Sequence, residues 1–91
     1  MAPEDKQLYI ELGQRIAQIR KALGLTQTQV AAQLGISQQT LAHYEVGRLR
    51  IALSTLVPLA RMFNTSVDEL LQTKKVKESK HRPASNIATI D

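Results

Sequence analysis

The sequence predicts an all-α fold: a compact domain of five short helices over residues 1–71, followed by a basic tail over 72–91. Three observations predict it. Apolar residues recur three and four positions apart along several stretches, the spacing of a helix with one buried face. These stretches are opened by Thr or Ser and closed by Gly or Asn, the residues that cap helices at those ends. Hydrophobic residues make up 43% of the 91 positions, enough for one small core and too many for a disordered chain.

The first helix is expected from about Glu4 to Leu23, with Met1 to Asp5 frayed. Leu8, Leu12, Ile16, Ile19 and Leu23 form its apolar stripe, Lys21 suits its negative pole, and Gly24 stops it. Tyr9 and Ile10 fall partly off the stripe and are either exposed or cover an interface. The second helix is expected over Gln27–Leu34, with Val30, Ala31 and Leu34 on one side. Thr26 and Gln29 form a capping box, and Leu25 staples to Val30. Gly35 breaks this helix in the left-handed conformation that a sharp turn needs. The third helix is expected over Gln38–Val46, capped by Ser37, stapled from Ile36 to Leu41, and buried through Leu41 and Tyr44. Gly47 ends it.

Ala31, Gly35 and Leu41 set how these two helices meet. The small Ala31 lets the next helix approach, Gly35 makes the corner, and Leu41 fills the angle. That spacing is the signature of a helix-turn-helix, whose second helix presents its outer face to a groove. A fourth helix starts near Ser54 or Thr55. Thr55 is the favoured cap, because it places Pro58 in the first turn, where a missing N–H matters least. Leu56, Leu59, Ala60 and Phe63 form its buried face, and Asn64 stops it. Ser66 with Glu69 caps a fifth helix carrying Val67, Leu70 and Leu71. The acidic pair Asp68-Glu69 answers the helix dipole in that first turn rather than forming an acid/base couple. Beyond Leu71, QTKKVKESKHRPASNIATID has little apolar periodicity and reads as a flexible basic tail, either plainly solvated or attracted to a polyanion.

The outer face of the third helix carries Gln38, Gln39, Ala42 and His43. An amide offers one donor and one acceptor, which matches the major-groove edge of adenine. On their own, Gln38 and Gln39 are also ordinary solvated residues. Their place on the first turn after this corner favours contact with DNA. His43, one turn after Gln39, reaches a base edge or a phosphate, or is simply exposed. Unsatisfied N–H groups at the start of the second helix make an anion site, where Gln27 sits.

LGQRIAQIRKALGLTQTQVAAQLGIS, QQTLAHYEVGR and LSTLVPLARMFNTSVDELL together resemble the lambda-repressor-like, Cro-type (XRE-like) helix-turn-helix regulators. The resemblance covers residues 12 to 71. It implies a five-helix domain that binds operator DNA, usually as a two-fold dimer. It implies that Arg20 pairs with Glu45, tying the first helix to the third and leaving part of its guanidinium for a phosphate. It places Gln27 on a phosphate, and Arg48 and Arg50 on the DNA backbone. As an exposed pair, Arg20 and Glu45 would contribute orientation more than stability. Two positions depart from many relatives: Val46 stands in place of Asn and Ile51 in place of Pro.

The expected function is therefore sequence-specific binding of double-stranded DNA by a transcriptional regulator, a repressor acting as a homodimer on a palindromic operator. The alternative is an antitoxin-like or adaptor module that uses the same motif to hold a protein partner. Catalysis is not expected, since there is no Cys, no phosphate-binding loop and no converging catalytic set. No cofactor is implied. A metal site is not expected either, because the only His besides His43 is His81 in the tail.

The formal net charge is +4 and the pI about 9.8, which suits a polyanionic partner. Residues 1–71 hold seven Lys or Arg against six acids, and residues 72–91 hold five against two. A positive surface on the domain must come from placement. The start, MAPEDKQLYI, is acidic and lacks a signal-peptide pattern, and no apolar run spans a bilayer. The expected location is cytoplasmic, with no membrane partner.

Overall fold

The structure is a computed structural model and describes residues 3–71; the tail expected over 72–91 lies outside the described residues. The described chain forms α1 (Pro3–Ala22), α2 (Gln27–Leu34), α3 (Gln38–Glu45), α4 (Leu53–Met62) and α5 (Val67–Leu71), with no strand among the described residues. Helix α1 packs on α3 and α5, α2 on α3 and α4, and α4 on α5. One core results, with Ile16, Val30, Leu41, Leu59 and Leu70 at its centre and Leu12, Ala31, Ile51, Leu56, Ala60 and Phe63 around them.

Helix α1 departs from its predicted stripe at both ends. It begins at Pro3, so Asp5 is helical rather than frayed. Leu8 and Leu23 are exposed, Leu23 by half. The buried face runs instead through the neighbours Leu12 and Gly13, then Ile16 and Arg20 at steps of three or four residues. Periodicity names the residues that share a face but not how far along the helix a partner covers it. Tyr9 packs against the core, and Ile10 lies against Gly47.

Gly13 and Gly47 bring α1 and α3 together at backbone distance. A Cβ on Gly13 would collide with the carbonyl oxygens of Tyr44 and Glu45. Gly47 has φ +76, and a Cβ there would sit 2.6 Å from Ile10 Cγ1 and 2.7 Å from its Cα. The long first helix thus runs directly under the end of α3.

Helix α4 starts earlier than predicted. Its N-cap is Ala52, with no side-chain bond, and Thr55 lies inside the helix. The N–H groups of Thr55 and Leu56 both donate to the Ala52 carbonyl at 2.9 Å. Pro58 therefore sits in the second turn, where it removes one helical bond. Burial of Leu56, Leu59, Ala60 and Phe63 offsets that loss, at roughly 1.5–3 kcal/mol for each large side chain. Asn64 stops the helix with φ 55. The predicted capping box of α5 is present: Glu69 N–H donates to Ser66 Oγ at 3.0 Å, and Ser66 N–H donates to Glu69 Oε1 at 3.3 Å. Leu70 is buried, but Leu71 is exposed rather than part of the core.

Candidate nucleic-acid interface

Local sequence sets the geometry of α2 and α3. Gln29 N–H donates to Thr26 Oγ1 at 3.0 Å, and Thr26 N–H donates to Gln29 Oε1 at 2.8 Å, closing the capping box. Gly35 takes φ 73, and Ile36 N–H donates back to the Ala31 carbonyl at 3.0 Å, satisfying a carbonyl that the helix end leaves open. Ser37 Oγ accepts from Thr40 N–H at 3.0 Å and starts α3. Buried Ala31 and Leu41 lie at the crossing. This is the helix-turn-helix geometry that the sequence predicts.

A hydrogen-bonded chain runs from the interior to the outer face of α3. Arg20 Nε donates to Glu45 Oε2 at 2.6 Å, and its Nη2 donates to Glu45 Oε1 at 3.1 Å. Its Nη1 donates to the Leu25 carbonyl at 2.9 Å. Gln27 Nε2 donates to Glu45 Oε1 at 2.9 Å, and Gln38 Nε2 donates to Gln27 Oε1 at 2.6 Å. The pair ties α1 to α3, but it is not the exposed pair that the sequence suggests. Arg20 and Glu45 are 8% and 7% exposed.

All three guanidinium nitrogens of Arg20 are engaged inside the protein. Three of its five N–H groups are used inside the protein, two on Glu45 and one on the Leu25 carbonyl, and at 8% exposed Arg20 presents little surface for the phosphate contact that the resemblance implies. The hydrogen bond to Glu45 raises the Arg20 pKa above its ordinary value. Breaking one half of such a pair leaves an uncompensated buried charge.

The other candidates divide between two places. Gln38 and Gln39 are exposed on the first turn of α3, with Ala42 and His43 half-buried beyond them. Gln27 occupies the first position of α2, its amide bridging Glu45 and Gln38. Arg48 is exposed just after α3. Arg50 is turned toward α1: its Nη2 donates to Asp5 at 3.2 Å, and its guanidinium lies over the Tyr9 ring, 5.7 Å from the centroid. Sequence reasoning missed Gly13, the Gln27–Gln38 link and the Asp5–Tyr9–Arg50 cluster. A glycine inside a helical pattern was the available signal for the first. Nothing local signals the other two.

A family model described as helix-turn-helix matches residues 16–70. The chain belongs to the helix-turn-helix family, in its XRE-type, lambda-repressor-like branch. Within this helix-turn-helix chain, α2 and α3 are the paired helices of the motif, and the matched span leaves out the first thirteen residues of α1.

Relatives bear the same motif. The uncharacterized HTH-type transcriptional regulator YobD of Bacillus subtilis is 41% identical over 58 residues, 64% of this chain and 52% of that one. The cryptic phage CTXphi transcriptional repressor RstR of Vibrio cholerae is 36% identical over 61 residues, 67% of this chain and 54% of its own. The chain thus spans about half the length of these curated relatives. Among solved structures, the restriction-modification controller protein C.AhdI from Aeromonas hydrophila superposes with a TM-score of 0.65 at 27% identity, covering 68% of this chain and 94% of that one. Among the described residues, no helix is long and apolar enough to cross a membrane, and no group of three His, Cys, Asp or Glu is placed to hold a metal.

Proposed function

We propose that this chain binds double-stranded DNA in a sequence-specific way and regulates transcription, as a repressor dimer on a palindromic operator. The observation that carries this reading is the outer face of α3. There Gln39 stands exposed beside a Gln38 whose amide is braced from the interior through Gln27, Glu45 and Arg20. Side chains held this way lose less freedom on binding than free surface amides, and preorganisation adds affinity and specificity.

Helix α3 enters the major groove, and Gln38, Gln39 and His43 read base edges. Gln27 at the start of α2, with Arg48 and Arg50 beyond α3, holds the sugar-phosphate backbone and sets the register. A module of this size covers little DNA, so two copies on half-sites about 34 Å apart supply the affinity. An apolar groove bordered by exposed Leu8, Leu53 and Leu71 is the surface for the second copy. RstR, a relative named as a repressor, supports the sign of regulation.

Selection of bound sites from random duplex DNA at fixed salt tests the reading. The expected product is an enriched, two-fold symmetric site. Gln39→Ala lies outside the internal chain and should relax preference at one position per half-site, by about 1–3 kcal/mol. Absence of any enriched sequence overturns specific recognition. An enriched but asymmetric site overturns the dimer.

A further inference from the structure

The first thirteen residues of α1 lie before the span that the family model matches. They are nevertheless part of the same helix, and they run beneath the segment that follows α3. Ile10 packs against Gly47, and Tyr9 and Asp5 hold Arg50. Beside this contact is a shallow cleft of about 480 Å³, lined by Lys6, Ile10, Val46, Gly47 and Arg48. It has a cation on each wall. Lys6 rises from α1 and Arg48 from the segment after α3, and both are exposed.

Charge around the cleft is arranged unevenly. Of the described acids on this part of α1, Asp5 accepts from Arg50 and Glu11 accepts from Gln7 at 3.0 Å. Among the described side chains, neither Lys6 nor Arg48 is in an ion pair. The other arginines tied to α3 and its following loop, Arg20 and Arg50, already have carboxylate partners. Lys6 and Arg48 therefore face a common open space with their charges unspent, at the far end of α3 from Gln38.

We infer that the Lys6–Arg48 cleft is a clamp for a DNA backbone phosphodiester, with Lys6 a phosphate-binding residue supplied by the part of α1 outside the family span. The inference rests on the DNA-binding reading above. Its chemistry is that of an anion held between an ammonium and a guanidinium, with Ile10 and the exposed Val46 as the apolar part of the lining. Such a contact carries no base information. It fixes the end of α3 against one strand while the amides at its start read the groove.

The test is the salt dependence of binding to the selected duplex by the full chain. Each phosphate neutralised adds about 0.9 to the slope of log affinity against log salt. Lys6→Gln should lower that slope by a part of this, about half, and weaken binding to all duplexes alike, leaving the selected sequence unchanged. Lys6→Gln with Arg48→Gln, which together hold one phosphodiester, should lower the slope by about 0.9 in all. Arg61→Gln removes the same charge from exposed α4 surface outside the cleft and should leave the slope at the wild-type value. A thermal melt of Lys6→Gln matching wild type shows that the change acts on binding. A wild-type chain that binds while Lys6→Gln keeps the full slope overturns the clamp alone. Equal slope losses for Lys6→Gln and Arg61→Gln also overturn it, since net charge then suffices. A wild-type chain that binds no duplex overturns the DNA-binding reading and the clamp with it.

Discussion

Two arginines reach carboxylates on other helices or loops, and they do so in different solvent. Arg20 meets Glu45 at 2.6 Å with side chains only 10% and 6% exposed. Arg50 meets Asp5 at 3.2 Å with side chains 55% and 46% exposed. The first pair is largely shielded from solvent, and each partner makes one further hydrogen bond, Arg20 to the Leu25 carbonyl and Glu45 from Gln27. The second pair exchanges freely with solvent and ions. The region under α3 is therefore fixed by the pair itself, whereas the region after α3 is fixed by apolar packing of Ile10, Gly47 and Ile51, with the arginine laid across it. The same chemistry has a different role because burial differs.

The largest expected effect comes from breaking the buried side of this comparison. Glu45→Ala leaves the Arg20 charge stranded in the interior and should cost about 3–5 kcal/mol of folding stability, read as the shift in a urea unfolding midpoint. A loss under about 1 kcal/mol would mean that the pair behaves like a surface one. Asp5→Asn breaks the exposed side and should change stability by less than about 1 kcal/mol. Even that difference should vanish in high salt, where exposed charges are screened. On the proposed reading, freeing Arg50 and removing an acid from the phosphate side also raises affinity for the duplex. A stability loss as large as that of Glu45→Ala would erase the distinction between the two regions.

The smallest effect extends the comparison to a third carboxylate, with no ion-pair partner among the described residues. The Thr65 hydroxyl and the Ser66 N–H donate to Glu69 and hold its carboxyl below the usual range. A depressed folded-state pKa adds stability above the unfolded value and loses it as pH falls through the folded one. Acidification should therefore erode this contribution in wild type. Glu69→Gln should be less stable at neutral pH and converge on wild type in acid, as unfolding midpoints across the acid range would register. Parallel pH profiles for the two proteins would remove Glu69 from the account.

What the sequence made legible follows from distance along the chain. The Thr26–Gln29 and Ser66–Glu69 boxes, the left-handed Gly35 and Asn64, and the buried faces of α2 and α4 are decided by residues within four or five positions of one another. All of these are present. The Arg20–Glu45 pair spans 25 positions and was reachable only through resemblance to a family, which misjudged its burial. Asp5 and Arg50 are 45 positions apart and no pattern announced them. Leu8, Leu23 and Leu71 fit their helical stripes yet stay exposed, because a stripe continues past the point where its partner ends. Pro58 misled through a sound local rule: burial of the residues around it outweighs one missing bond. At the candidate site, sequence placed Gln38 and Gln39 outward but not the support behind Gln38, which is tertiary.

The support behind Gln38 has a polarity. Glu45 is a carboxylate with no proton to give, so Gln27 must turn its nitrogen inward. Its oxygen is then left for Gln38, which must answer with nitrogen in turn. Gln38 keeps its own oxygen, and a single spare hydrogen, for whatever approaches from outside. A buried negative charge two side chains away thus gives handedness to an otherwise ambidextrous group, and it does so before any duplex arrives.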